Sequence, residues 1–195
     1  MREVEIRNYA KLNELAEQGG IVIFGCGVDK NIPICELRQA FAVEPKVYNR
    51  SFESLSVKDA LSVYKEIVDV LSPETILLHI GEADIDFFAE HSAEFDNKYR
   101  ELTQYIKSQN PKCRIAIVSL RNYDNNPQIA AINKHLKYIA NSEQCEYDDI
   151  ATKKVWNPKA TMDAVSFVYS IGFVHPLKNK RPLYDLVKIL FCYNV

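Results

Sequence analysis

Nothing in this sequence approaches a membrane span: the longest apolar stretches are strand-sized, so no transmembrane helix is expected. An excess of charge is missing as well. The 24 Lys and Arg residues nearly balance 26 Asp and Glu, and a net charge of −2 gives no global attraction to nucleic acid or an anionic membrane. Neither partner is expected. The amino terminus, Met1-Arg2-Glu3-Val4-Glu5, has no apolar core of the kind a secretory signal carries. Five cysteines (Cys26, Cys35, Cys113, Cys145 and Cys192) are scattered, odd in number and without Cys-x-x-Cys spacing. A disulfide framework or structural zinc site is therefore not expected, and a cytoplasmic location fits best. No repeat, low-complexity tract or linker interrupts the chain, so 1–195 reads as a single domain.

What is present is an ordinary globular composition, 47% apolar and 26% charged, with strands and helices in alternation. Ile21-Val22-Ile23-Phe24 follows Gly19-Gly20 and reads as a fully buried strand, closed by Gly25-Cys26-Gly27. Before it, Tyr9 to Gln18 predicts a helix with Leu12, Leu15 and Ala16 on its buried face and a glycine stop. Ile34, Leu37, Ala40 and Phe41 suggest a short helix with Pro33 at its start, and Val43 to Tyr48 a second strand. Val57, Ala60, Leu61, Tyr64, Ile67, Val68 and Leu71 form a helical stripe, opened by a capping-box-like Ser56 and Asp59. Thr75 to Ile80 is a third buried strand ending at Gly81. Phe95, Tyr99, Leu102 and Ile106 mark a helix that stops before Asn110-Pro111, and Ile115 to Val118 a fourth strand. Ile129, Ile132, Leu136 and Ile139 mark another helix, Cys145 to Ile150 a weaker strand, and Leu183, Leu186, Val187 and Leu190 a last helix. Strands alternating with helices imply a parallel sheet in a three-layer α/β/α sandwich of flavodoxin-like type.

Several blocks stand in a telling order: Gly25-Cys26-Gly27 after the first strand, Asn49-Arg50-Ser51, Gly81-Glu82-Ala83-Asp84 after the third strand, and His175-Pro176 before the last helix. In this order and spacing the chain resembles the SGNH (GDSL-like) hydrolase family over about Ile21 to Leu190. The run from Leu71 to Gly81 resembles that family's third strand. Tyr99-Arg100-Glu101-Leu102 through Asn110 to Ile115 resembles the helix and strand after it. The resemblance implies a serine-esterase scaffold, and it also shows what has changed. The family's first block is Gly-Asp-Ser with serine as nucleophile; here that place holds Gly27. Asn49-Arg50-Ser51-Phe52-Glu53-Ser54 is similar to Asn-Arg-Gly-x-x-Gly, with Ser51 and Ser54 at the glycine places. In the third block, Gly-x-Asn-Asp, the asparagine amide is an oxyanion donor; here Ala83 stands there. The last block is Asp-x-x-His, and Gly172 replaces the aspartate while His175 remains. Loss of one oxyanion donor alone costs about 10²–10³ in rate, and triad members act as a unit.

These losses lead to the expectation of a hydrolase fold without the family's mechanism. It would bind a small acyl or glycan ligand, or a protein partner, at an edge formed by Gly25, Gly27, Asn49, Ser51, Ser54, Gly81, Glu82 and Asp84. The alternative is an acyl hydrolase or transferase with Cys26 as nucleophile and His175 as base, provided a helix starting just after Cys26 stabilises its thiolate. Against that stands a small buried cysteine packing under the turn. Glu82, Asp84 and Asp86 alternate in a way that can collect a hard cation or be simply solvated, and nothing fixes a coordination shell, so neither metal nor cofactor is expected. Arg50, Arg121 and Lys180 can meet an anion at the same edge, although isolated basic residues in loops are usually solvated. His79 reads as a structural residue packed off the third strand, His91 and His135 as surface. Tyr64 reads as core.

Overall fold

The structure, a computed structural model, describes residues 2–40, 43, 45–122, 124–151, 187, 190 and 191. Five strands, β1 (Ile21–Gly25), β2 (Val47–Asn49), β3 (Thr75–His79), β4 (Arg114–Val118) and β5 (Glu146–Asp148), form one sheet in the order β2-β1-β3-β4-β5. Every pairing is parallel, with Ile21 beside both Val47 and Thr75, and Gly25 beside His79. All residues of β1 and β3 are buried. Both faces must therefore be covered, which is why these strands read as continuous apolar runs.

Side chains alternate across the pleat and sort into two cores. Val22, Phe24, Ile76, Leu78, Ile115 and Ile117 point to one side, under α3 (Val57–Val63), α4 (Ile85–Gln109) and α5 (Pro127–Ser142). Ile21, Ile23, Leu77, Ala116 and Val118 point to the other. There they meet Leu37 of α2 (Ile34–Ala40) together with Val187, Leu190 and Phe191, which are helical where described. The α/β layered class expected from the alternating pattern is the one observed.

The helices follow their periodic stripes, with three informative departures. α3 does not run evenly to Leu71: it widens into a π turn over Tyr64–Val68 and tightens into a 3-10 turn over Asp69–Leu71. This keeps Tyr64, Ile67, Val68 and Leu71 all buried. α4 begins ten residues before its first clear apolar marker, at Ile85, and is broken at His91, whose φ/ψ of −135°/45° is not helical. The third is α1. It spans Arg2–Asn13, not Tyr9 to Gln18, and buries no residue fully. Leu12 and Leu15, expected on its inner face, are 50% and 85% exposed. Ile6 and Tyr9 pack inward in their place, while Ala16 does pack against the core as expected. Polar contacts do much of the holding: Arg2 pairs with Asp59 at 2.5 Å, Lys30 with Glu5 at 2.7 Å, and Asn13 Nδ2 donates to Ile67 O at 2.7 Å. Hydrophobic spacing misleads where polar contacts at both ends set a helix's rotation. β2 is also shorter than Val43 to Tyr48, as is β5 than Cys145 to Ile150. Among the described residues no helix is long and apolar enough to cross a membrane.

Candidate functional site

The strand order reverses between β1 and β3: β2 lies on one side of β1, while β3, β4 and β5 extend on the other. In an open parallel sheet the crevice at such a reversal, at the carboxyl ends of the strands, is where ligands bind. The turns after β1 and β3 meet there.

The turn after β1 is a 3-10 turn over Gly27–Asn31. Its backbone is held against the segment after β2: Phe52 N donates to Gly25 O at 3.0 Å and Gly27 N donates to Phe52 O at 2.9 Å. Gly27 takes φ +60°, a left-handed conformation that costs a residue with a Cβ about 1–2 kcal/mol. A Cβ there would lie 2.7 Å from Glu82 Oε2. A carboxylate from the turn after β3 therefore stands beside the place where the resemblance puts a nucleophile. Arg121, in the turn after β4, donates from Nη2 to the same Oε2 at 3.3 Å. Glu82, Arg121 and Gly27 are thus brought together from three separate strand ends.

Cys26 packs into the helix-covered core and is 2% exposed. Its Sγ is 3.9 Å from Glu82 Oε2. Burial first, and the Glu82 and Asp29 carboxylates second, push the thiol from its ordinary 9.0 up to about 12, against hydrogen bonds from the Glu82 and Ala83 backbone that favour the thiolate. The environment opposes the thiolate that a nucleophilic role requires. The Cys26 alternative also counts on a helix starting just after it to stabilise the thiolate. The chain forms a five-residue 3-10 turn there instead, and its Gly27 N–H is already engaged by Phe52.

The remaining candidates divide between the crevice and the scaffold. Asp84 is buried and turned inward, where it caps α3 by accepting from the Ser56 hydroxyl and, at 2.9 Å, from Val57 N. Burial pushes its carboxyl up against the opposing effect of those two donors. Glu82, Asp84 and Asp86 do not converge: Glu82 pairs with Arg121, Asp84 with the start of α3, and Asp86 lies in the first turn of α4. Among the described residues no group of three acidic, histidine or cysteine side chains could hold a metal. Asn49 accepts from Ser51 N at 3.0 Å and donates to Asp29 O at 2.7 Å, tying β2's end to the first turn. Ser51 is fully enclosed, whereas Ser54 is exposed and its carbonyl accepts from Arg2. Gly81, at φ +132°, makes the sharp exit from β3. Arg50, expected to be able to meet an anion, is instead buried: Nε donates to Asn13 Oδ1 at 2.9 Å and the guanidinium stacks on Tyr9 and Tyr48. His175, Gly172, Lys180 and Cys192 lie outside the described residues.

The sequence gives no warning of one further pair. His79 is buried, as expected, but its Nδ1 lies 2.7 Å from Asp29 Oδ2, and Asp29 is buried too. Gly25 makes room for this pair: a Cβ there would collide with Asp29 Oδ2 and lie 3.0 Å from His79 O. Phe191 meets the imidazole edge-on at 5.3 Å, and His79 Nε2 has no hydrogen-bond partner among the described residues. The only sequence signal is indirect, a glycine and a histidine that become neighbours once the register of β1 against β3 is known.

No protein-family model and no curated protein matches the sequence. Solved structures do match. A Streptococcus pneumonia protein described as a candidate platelet activating factor superposes with TM-score 0.66 at 18% identity, over 80% of this chain and 78% of its own. A GDSL-like lipase from Bacteroides thetaiotaomicron superposes with TM-score 0.65 at 14% identity, over 95% and 94%. An acetylxylan esterase from Geobacillus stearothermophilus gives 0.56 at 14%, over 69% and 78%. The chain has the SGNH (GDSL-like) hydrolase fold. At these identities the likeness concerns the fold alone.

Proposed function

We propose that this chain, a single cytoplasmic domain over 1–195, is a non-catalytic version of the SGNH-hydrolase fold that binds a small ligand in the crevice between the turns after β1 and β3. The observation that supports this most directly is Gly27, with the Glu82 carboxylate 2.7 Å from where a Cβ would sit. A nucleophile there is missing, and a negative charge stands where an oxyanion hole would need donors. Ala83 supplies no side-chain amide, and Gly27 N–H is spent on Phe52 O. The Cys26 thiol, buried and pushed up to about 12, supports this reading over a hydrolase built on Cys26 and His175.

The test is turnover. Purified protein on short-chain aryl esters should give no rate above that of a Cys26→Ala, His175→Ala double variant. Ester hydrolysis that disappears in the double variant would overturn the proposal and establish the cysteine enzyme.

A further inference from the structure

Resting on that ligand-binding reading, we infer that the crevice is a receptor for a small carboxylate anion, with Arg121 as the receptor group and Glu82 as its intramolecular stand-in. The two partners of this ion pair are unequal. The Arg121 side chain is 12% exposed, that of Glu82 45%. The cation is enclosed and the anion half in solvent. Arg121 is also presented from a fixed backbone. On one side, Leu120 is held through both its N–H and C=O by Asn133, at 2.7 and 2.8 Å. On the other, Asn122 N donates to Ala151 O at 2.7 Å.

A guanidinium carries five N–H donors in a planar fork suited to two parallel bonds with a carboxylate. Among the described residues Arg121 makes a single, long bond, 3.3 Å from Nη2 to one oxygen of Glu82. That same oxygen also faces the Cys26 thiol and fills the space that a Cβ at Gly27 would need. Glu82 reaches Arg121 from the end of β3 by a short tether, and the tether gives a one-point contact where a free carboxylate is able to make two. A ligand carboxylate swings Glu82 toward solvent and takes its place, with its apolar tail directed along the crevice floor beside Gly27. An anion with two coplanar oxygens and an apolar tail suits the fork and the crevice floor together better than a tetrahedral anion without a tail, and a neutral ester or amide brings no charge to replace that of Glu82.

Isothermal calorimetry on the full chain tests this with acetate, butyrate and benzoate, the matching amides, and inorganic sulfate. Butyrate or benzoate should bind about tenfold or more tightly than its amide, and Arg121→Gln should abolish that difference. Glu82→Gln, which removes the competitor, should tighten carboxylate binding by about threefold, the scale of a half-exposed ion pair. Circular dichroism on both variants confirms folding, and Arg121→Lys, which keeps the charge but not the fork, should recover only part of the affinity. Amides binding as well as acids, sulfate binding as well as carboxylates, or undiminished binding in Arg121→Gln would overturn the carboxylate receptor while leaving a ligand-binding crevice. Weaker carboxylate binding in Glu82→Gln would overturn the stand-in role. If no probe binds, the receptor is overturned, and screening with neutral acyl and glycan ligands then decides the broader reading separately.

Discussion

At the scale of single residues, the thiols and glycines around the first turn make the sharpest demands. Cys35 is exposed, whereas Cys26 and Cys113 are buried, with their thiols pushed up to about 12. Iodoacetamide at pH 8 should label Cys35 well before either, which peptide mass spectrometry will resolve; early labelling of Cys26 would mean an accessible thiolate. Gly27→Ser tests whether the lost side chain can simply be restored. The clash with Glu82 is with the far end of a flexible side chain and can relax, so the cost is mainly that of a Cβ at φ +60°, about 1–2 kcal/mol in urea unfolding. No esterase activity should appear, because the new hydroxyl would face a carboxylate in a site that still lacks a side-chain amide at position 83.

The elements are tied together by the buried Asp29–His79 pair, which fastens the turn after β1 to the end of β3. Removing one partner leaves a buried polar group unsatisfied in the core, so His79→Leu or Asp29→Ala should each cost about 1–3 kcal/mol in urea unfolding. Gly25→Ala should approach the same loss without touching either ionisable group, since its Cβ would occupy the place of Asp29 Oδ2. If all three variants unfold within about 0.5 kcal/mol of the parent, the range of an ordinary surface change, the pair is not a structural clamp. α1 behaves differently. Its ion pairs, Arg2–Asp59 and Glu5–Lys30, are partly exposed and open to screening by salt. Raising the salt concentration should speed amide exchange in α1 while β1 and β3 stay protected.

For the whole molecule, the buried thiols are the first of the buried acids to weaken the fold as pH rises, ahead of the buried tyrosines. Folding raises Cys26 and Cys113 from 9.0 to about 12, so the unfolded chain loses these protons first. Their contribution to stability is complete below about pH 9 and is lost as pH rises toward 12, at about 1.4 kcal/mol per pH unit for each thiol. Urea midpoints measured from pH 8 to 11 should fall only above about 9, and the Cys113→Ala variant should show a shallower fall.

Strand identity and layer class were legible in the sequence because they depend on local periodicity. Ile21 to Phe24 and Ile76 to Leu78 are apolar on both faces, and only a parallel sheet covered on both sides hides such runs. The blocks at Gly25, Asn49 and Gly81, which came from the family resemblance rather than from periodicity, lie at or just beyond the carboxyl ends of β1, β2 and β3. Side-chain partnerships were another matter. Asp29 meets His79 across 50 residues of sequence, and Glu82 meets Arg121 across 39. Strand register and crossover geometry choose those partners, and no local pattern encodes them. That is why nothing in the sequence marks Asp29, and why Arg50, an equally plausible anion contact, proved to be enclosed between two tyrosines. By itself the sequence determined that the turn after β1 carries no serine. Tertiary packing decided what stands there instead, because only the assembled sheet brings the Glu82 carboxylate beside Gly27 and the Arg121 cation against it.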